Sequence, residues 1–191
     1  MFAQVCTLLL SLLASPLLNM SADEYDDTIK VFRDAGQSGT FFANSYGYAV
    51  FPTVGKGGLI VGGAHGSGRV YEKGTYVGDS SITELSVGLQ AGGEAFSEII
   101  FFEDKRAFDE FTTGNFEFSA QAQAVAIKSG ASAQAGTTGS NAGAKGGNKQ
   151  DATTAGAYYK GMAVFTVAKG GAMAEMSIAG QKFKFEKKKQ S

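Results

Sequence analysis

A chain of 191 residues has room for one domain with a hydrophobic core and too little for two of ordinary size. Its formal charge of −1 leaves no global basic surplus of the kind nucleic-acid binders carry. Glycine is abundant, 27 residues without a three-residue period, which excludes collagen and points to tight turns and closely approaching strands.

Val5 to Leu18 form an apolar run that is shorter than the ~20 residues needed to span a bilayer but has the length of a signal-peptide core. The abrupt change to charge at Asp23 makes residues 1–22 the expected leader and 23–191 a single exported domain, periplasmic or extracellular. No Lys or Arg precedes the run, and a cytosolic start at Met20 is the competing reading. Cys6 is the only cysteine and falls inside the leader. A mature chain without a thiol has no disulfide, no thiolate metal site and no thiol nucleophile.

Ser21-Ala22-Asp23-Glu24 fits a capping box, and Tyr25, Ile29, Phe32 and Ala35 recur at helical spacing behind it. A second helical turn is expected around Thr40 to Ser45. Gly57 to Ala64 reads as a Gly-punctuated strand, and Gly62 to Gly68 as a turn. Arg69 to Glu72 and Thr75 to Val77 form a hairpin around Lys73-Gly74. From Thr83 to Ala91, Leu85, Val87 and Leu89 alternate with Glu84, Ser86 and Gly88, which places the leucines inward and Glu84 outward. Phe96 to Phe102 suits a central strand. Asp104 caps a short helix whose Ala107, Phe108 and Phe111 face the core. Phe116 to Ala124 reads as one period-2 strand, and Tyr158 to Ala168, Ala172 to Ile178 and Gln181 to Glu186 complete the set. Residues 129–157 lack large apolar side chains and are expected to form a flexible loop. The fold class is α+β, mainly β: an antiparallel curled or barrel-like sheet with an N-terminal helix and one short internal helix.

Candidate chemistry thins out under scrutiny. The glycines of Gly62 to Gly68 are followed by an extended Arg69-Val70-Tyr71, whereas a dinucleotide fingerprint opens a helix. Ser67 is no nucleophile elbow, because His65 and Arg69 stand where glycines are required. His65 is the only histidine, so a zinc site has too few ligands. The acids at Asp23, Glu24, Asp26 and Asp27 lack a calcium-loop pattern and read as a solvated helix face. No catalytic residue, metal or cofactor is expected.

Several segments occur in a fixed order: Gly47-Tyr48-Ala49-Val50-Phe51-Pro52, Lys56-Gly57-Gly58, Gly62-Gly63-Ala64-His65-Gly66-Ser67-Gly68-Arg69-Val70 and Gly88-Leu89-Gln90-Ala91-Gly92-Gly93. Tyr158-Tyr159-Lys160-Gly161-Met162-Ala163-Val164 and Gly180-Gln181-Lys182-Phe183 follow. Together they resemble the SYLF lipid-binding domain family, in its bacterial exported form, from about Asp23 to Phe185. The resemblance implies a β-rich, non-enzymatic domain with an N-terminal helix that binds lipid or phosphoinositide; some eukaryotic members also bind actin. It carries Lys56 and Arg69 over as lipid-headgroup contacts, on a basic, Gly-rich rim. The mixed-charge helix and the long Ala/Gly loop depart from the eukaryotic pattern, so the expected partner is a phospholipid or membrane surface of the envelope, with no nucleic acid. The alternative is a structural or protein-interaction module of the envelope.

Overall fold

The computed structural model describes residues 20–57, 61–87, 94–119, 122–127, 158–169 and 176–189. Most of the expected leader and the whole of the expected loop 129–157 lie outside the described residues. Helices α1 (Met20–Asp34) and α2 (Phe41–Asn44) lead into β1 (Gly47–Gly57), β2 (Val61–Glu72), β3 (Thr75–Val87) and β4 (Glu94–Phe102). Helix α3 (Lys105–Thr112) follows, then β5 (Phe116–Glu117), β6 (Gln123–Ile127), β7 (Met162–Lys169), β8 (Met176–Ser177) and β9 (Lys182–Lys187).

The strands form one nine-stranded sheet in the order β5-β9-β3-β2-β1-β4-β7-β6-β8. Its ladders are antiparallel except β6–β7, which is parallel and corrects the expectation of a wholly antiparallel sheet. The sheet curls into a half-barrel with a core on each face. The concave core gathers Phe51, Val54, Ile82, Phe96, Ile100 and Phe183, and is plugged by Ala107, Phe108 and Phe111 of α3. Asp104 starts that helix as expected, its carboxylate accepting from the Ala107 N–H at 2.8 Å. The convex core gathers Val50, Ile99, Phe101 and Phe165 under Ile29 and Phe32 of α1 and Phe41 of α2. Helix α1 runs from Met20, so Ser21 lies within it rather than ahead of it as a cap.

The stretch read as a turn, Gly62 to Gly68, lies inside the continuous strand β2. Its glycines are there for close approach. A Cβ on Gly68 would stand 2.4 Å from the Phe51 ring, and one on Gly66 would stand 2.9 Å from the Thr53 carbonyl. Pro52 is tolerated in a central strand because β1 carries a bulge between Val50 and Thr53. Two further expectations are corrected. In β3 the faces are inverted: Glu84 is 7 % exposed and Leu85 81 %. The run from Phe116 to Ala124 is not one strand but β5 and the start of β6, separated by residues 118–122.

The 73–74 hairpin is as expected, with Lys73 and Gly74 both at positive φ (49° and 81°), the geometry of a tight two-residue connection.

Candidate functional site

The two residues singled out by the sequence do not share a site. Lys56 sits opposite Ala64 on β2, which sits opposite Glu84 on β3, and Ala64 belongs to the concave core. The Lys56 ammonium meets the Glu84 carboxylate at 3.1 Å, with side chains only 11 % and 6 % exposed. Inversion of the β3 faces follows from this pair: once the lysine is turned into the half-barrel, a carboxylate must follow it, since an unpaired buried charge costs several kcal/mol, on the order of 3–5. Beside it Gln181 donates its Nε2 to Glu98 Oε2 at 3.3 Å. Burial pushes the Glu98 carboxyl up to about 8, the Gln181 hydrogen bond opposes this, and the nearby Glu84 adds to it.

Arg69 lies on the other face, directly opposite Val50 of the convex core. Its guanidinium stacks on the Tyr25 ring at 4.3 Å and lies 5.3 Å from that of Tyr76. Arg69 thus clamps α1 to the sheet. Burial raises the Tyr25 hydroxyl above its ordinary value, and the Arg69 charge acts against that shift.

Beyond the reach of α1, no other element among the described residues covers the convex face of β2, β3 and β9. Register sets Gly55, His65, Thr83 and Lys182 in one row across four strands, and Thr53, Ser67, Ser81 and Lys184 in the next. Ser81 is half-buried and the rest are exposed. Thr53 marks the boundary with α1: its hydroxyl donates to Glu24 at 2.9 Å and accepts from Lys169 at 2.6 Å. Lys182 lies 3.7 Å from Glu117, and Lys184 forms no ion pair among the described residues. Hydroxyls, a single imidazole, the Lys184 ammonium and the Lys182 ammonium, which is shared with Glu117 at the end of its row, offer hydrogen bonds and positive charge to an array of anionic oxygens. The next row, Arg69, Asp79 and Glu186, mixes both signs and closes the cationic area on that side.

A family profile, that of Ysc84, described as Las17-binding protein actin regulator, matches residues 83–191. The chain belongs to the Ysc84 (SYLF) family. A curated relative, Beta cell expansion factor A from Aeromonas veronii, is 26 % identical over 162 residues, covering 83 % of this chain and 53 % of that protein. The chain therefore spans about half the length of that relative. The Ysc84 match begins in β3, so it takes in Thr83, Lys182 and Lys184 and leaves out Lys56, His65 and Arg69.

For a Ysc84 chain read from sequence, the hydroxyl and lysine rows were out of reach because β3 pairs with β9 about 100 residues further on, as Ser81↔Lys184 shows. The available signal was the alternation of Lys182 and Lys184 with Phe183 and Phe185, which fixes the lysines on the solvent side. His65 and Ser67, weighed and rejected as a hydrolytic pair, are neighbours along the same exposed face of β2.

Proposed function

We propose that this chain is an exported, non-enzymatic module that binds anionic phospholipid of the cell envelope through the exposed convex face of β2, β3 and β9. The observation that carries the reading is the pair of aligned polar rows that reach Lys182 and Lys184 on β9, on the exposed convex side of the sheet. Membership of the Ysc84 (SYLF) family supports it. A lysine near an anionic surface contributes about 1 kcal/mol, screened by salt. In this reading Lys56 and Arg69 hold the framework and do not touch headgroups.

The test is flotation of the protein with vesicles of phosphatidylglycerol and phosphatidylcholine. Lys182→Glu with Lys184→Glu is expected to weaken binding at least about tenfold at low salt and to remove most of its salt dependence. Binding that is indifferent to both lysines would remove this face from consideration. The family description favours a second reading, a protein-interaction module. That reading gains if the wild-type protein ignores every vesicle while the same two substitutions abolish retention of an envelope protein.

A further inference from the structure

The half-barrel has a seam. Phe118 donates its N–H to Gln181 O at 3.0 Å and accepts from Gly180 at 3.2 Å, and Gln123 and Ala124 pair with Ser177 and Met176. Beside these two attachments lies a cavity of about 180 Å³. Its wall is apolar: Phe116, Phe118, Ala122, Met162, Val164 and Ile178. All but Phe116 belong to the concave core, and Ala163 and Phe165 of the convex core, with Val125 packed against it, line the cavity too, so it lies where the two cores meet. Its rim is exposed and polar, made of Ser119, Tyr159, Lys160, Glu110 and Glu117.

The charges on the rim are not equivalent. Glu117 lies 3.7 Å from Lys182 and Glu110 lies 3.3 Å from Arg106, so each carboxylate has a cation of its own. Lys160 has no ion-pair partner among the described residues. Its backbone is held in the left-handed region at φ 50°, followed by Gly161 at φ 83°, and Arg106 donates to the Lys160 carbonyl at 3.4 Å. A Cβ on Gly161 would stand 2.6 Å from the Arg106 guanidinium, so the backbone of this turn is seated against α3, and the exposed Lys160 ammonium lies 5.5 Å from the Tyr159 ring at the mouth.

We infer that this recess takes a short single-chain fatty acid of about six carbons, its hydrocarbon among Phe118, Ala122, Met162 and Val164 and its carboxylate at the Lys160 ammonium. The proposal rests on the lipid-binding reading above and adds a second, internal mode to it. Size limits the ligand to one chain, since an apolar cavity of about 150 Å³ admits a hydrocarbon of roughly six carbons. Charge limits the head to a single negative group, because one unpaired cation faces two acids that are already neutralised.

The experiment is calorimetric titration of the full chain with hexanoate, with vesicle flotation run on the same samples. Wild type is expected to bind one equivalent. Lys160→Glu is expected to weaken binding at least about tenfold, the charge reversal being worth more than about 1.4 kcal/mol. Ala122→Phe, which fills the recess from a residue outside any strand, is expected to abolish it, with an unchanged circular-dichroism spectrum confirming the fold. Flotation on anionic vesicles is expected to survive both substitutions, which separates this recess from the convex face. No heat with hexanoate, or titration unaltered by both substitutions, would overturn the inference. So would binding of lysophosphatidylglycerol with none of hexanoate, since that places the head-group specificity elsewhere.

Discussion

Glu98 and Lys56 show how the concave core tolerates charge in two different ways. Lys56 keeps its charge because Glu84 answers it at 3.1 Å, whereas Glu98 has only the amide of Gln181 and is driven toward its neutral form, up to about 8. The consequence for stability has a definite sign. Between its ordinary value of 4.5 and about 8, the folded chain keeps a proton that the unfolded chain has released. That contribution is therefore complete below the lower value, declines as pH rises through this window, and is gone above the upper one. Glu98→Gln keeps the shape and the hydrogen bond to Gln181 but cannot ionise. Its melting temperature relative to wild type is expected to rise between pH 5 and pH 9 by roughly 5 °C or more. A relative melting temperature that stays flat across that range would show that Glu98 titrates as in water. Lys56→Ala, which strands Glu84, is expected to cost about 3–5 kcal/mol in a chemical denaturation series, and a loss under 1 kcal/mol would mean that the pair is not desolvated.

At the scale of elements, the parts legible in the sequence were those whose signal is local. The Asp104 cap, the buried face of α3, the hairpin at Lys73-Gly74 and the apolar run of β4 each follow from neighbours within a few residues. What escaped depends on distant partners. Glu84 faces inward only because Lys56 does, 28 positions earlier. The Gly62 to Gly68 stretch is a strand and not a turn because Phe51, in the neighbouring strand, needs the space over Gly68. The alternation from Phe116 to Ala124 is local and reads as one strand, but its division depends on distant partners, β9 for β5 and β7 and β8 for β6. Lys56 and Arg69, expected on one rim, lie near one another in sequence, yet five residues of strand separate Ala64 from Arg69 and so set the two on opposite faces. Glycine's role in β2 is open to direct test. Gly68→Ala is expected to destabilise by about 1–3 kcal/mol, because its Cβ meets the Phe51 ring and the Val50 carbonyl. Gly55→Ala, where a Cβ meets nothing within 4 Å, is expected to be neutral or to stabilise by about 0.4–1 kcal/mol. Equal effects from urea denaturation would mean that β2 does not need the gap.

At the scale of the whole molecule, the family boundary and the fold boundary disagree. The Ysc84 match runs over residues 83–191, yet the sheet order places β2 and β1 between β3 and β4. A chain cut at residue 83 would hold β9 and β5 with the remainder of β3 on one side, and β4, β7, β6 and β8 on the other, with nothing to join them. It would also lose α1, which covers Val50 and Ile99, and the Lys56 that neutralises Glu84. Exposed edges on β3 and β4 are templates for pairing between chains, and the two half-cores each lose their central apolar rows. The 83–191 fragment is therefore expected to show no cooperative thermal transition by circular dichroism and to aggregate at micromolar concentration, whereas residues 20–191 melt in one step. A soluble, cooperatively melting 83–191 fragment would mean that β3 and β4 can pair directly, and that β1 and β2 are an insertion into a smaller sheet rather than its centre.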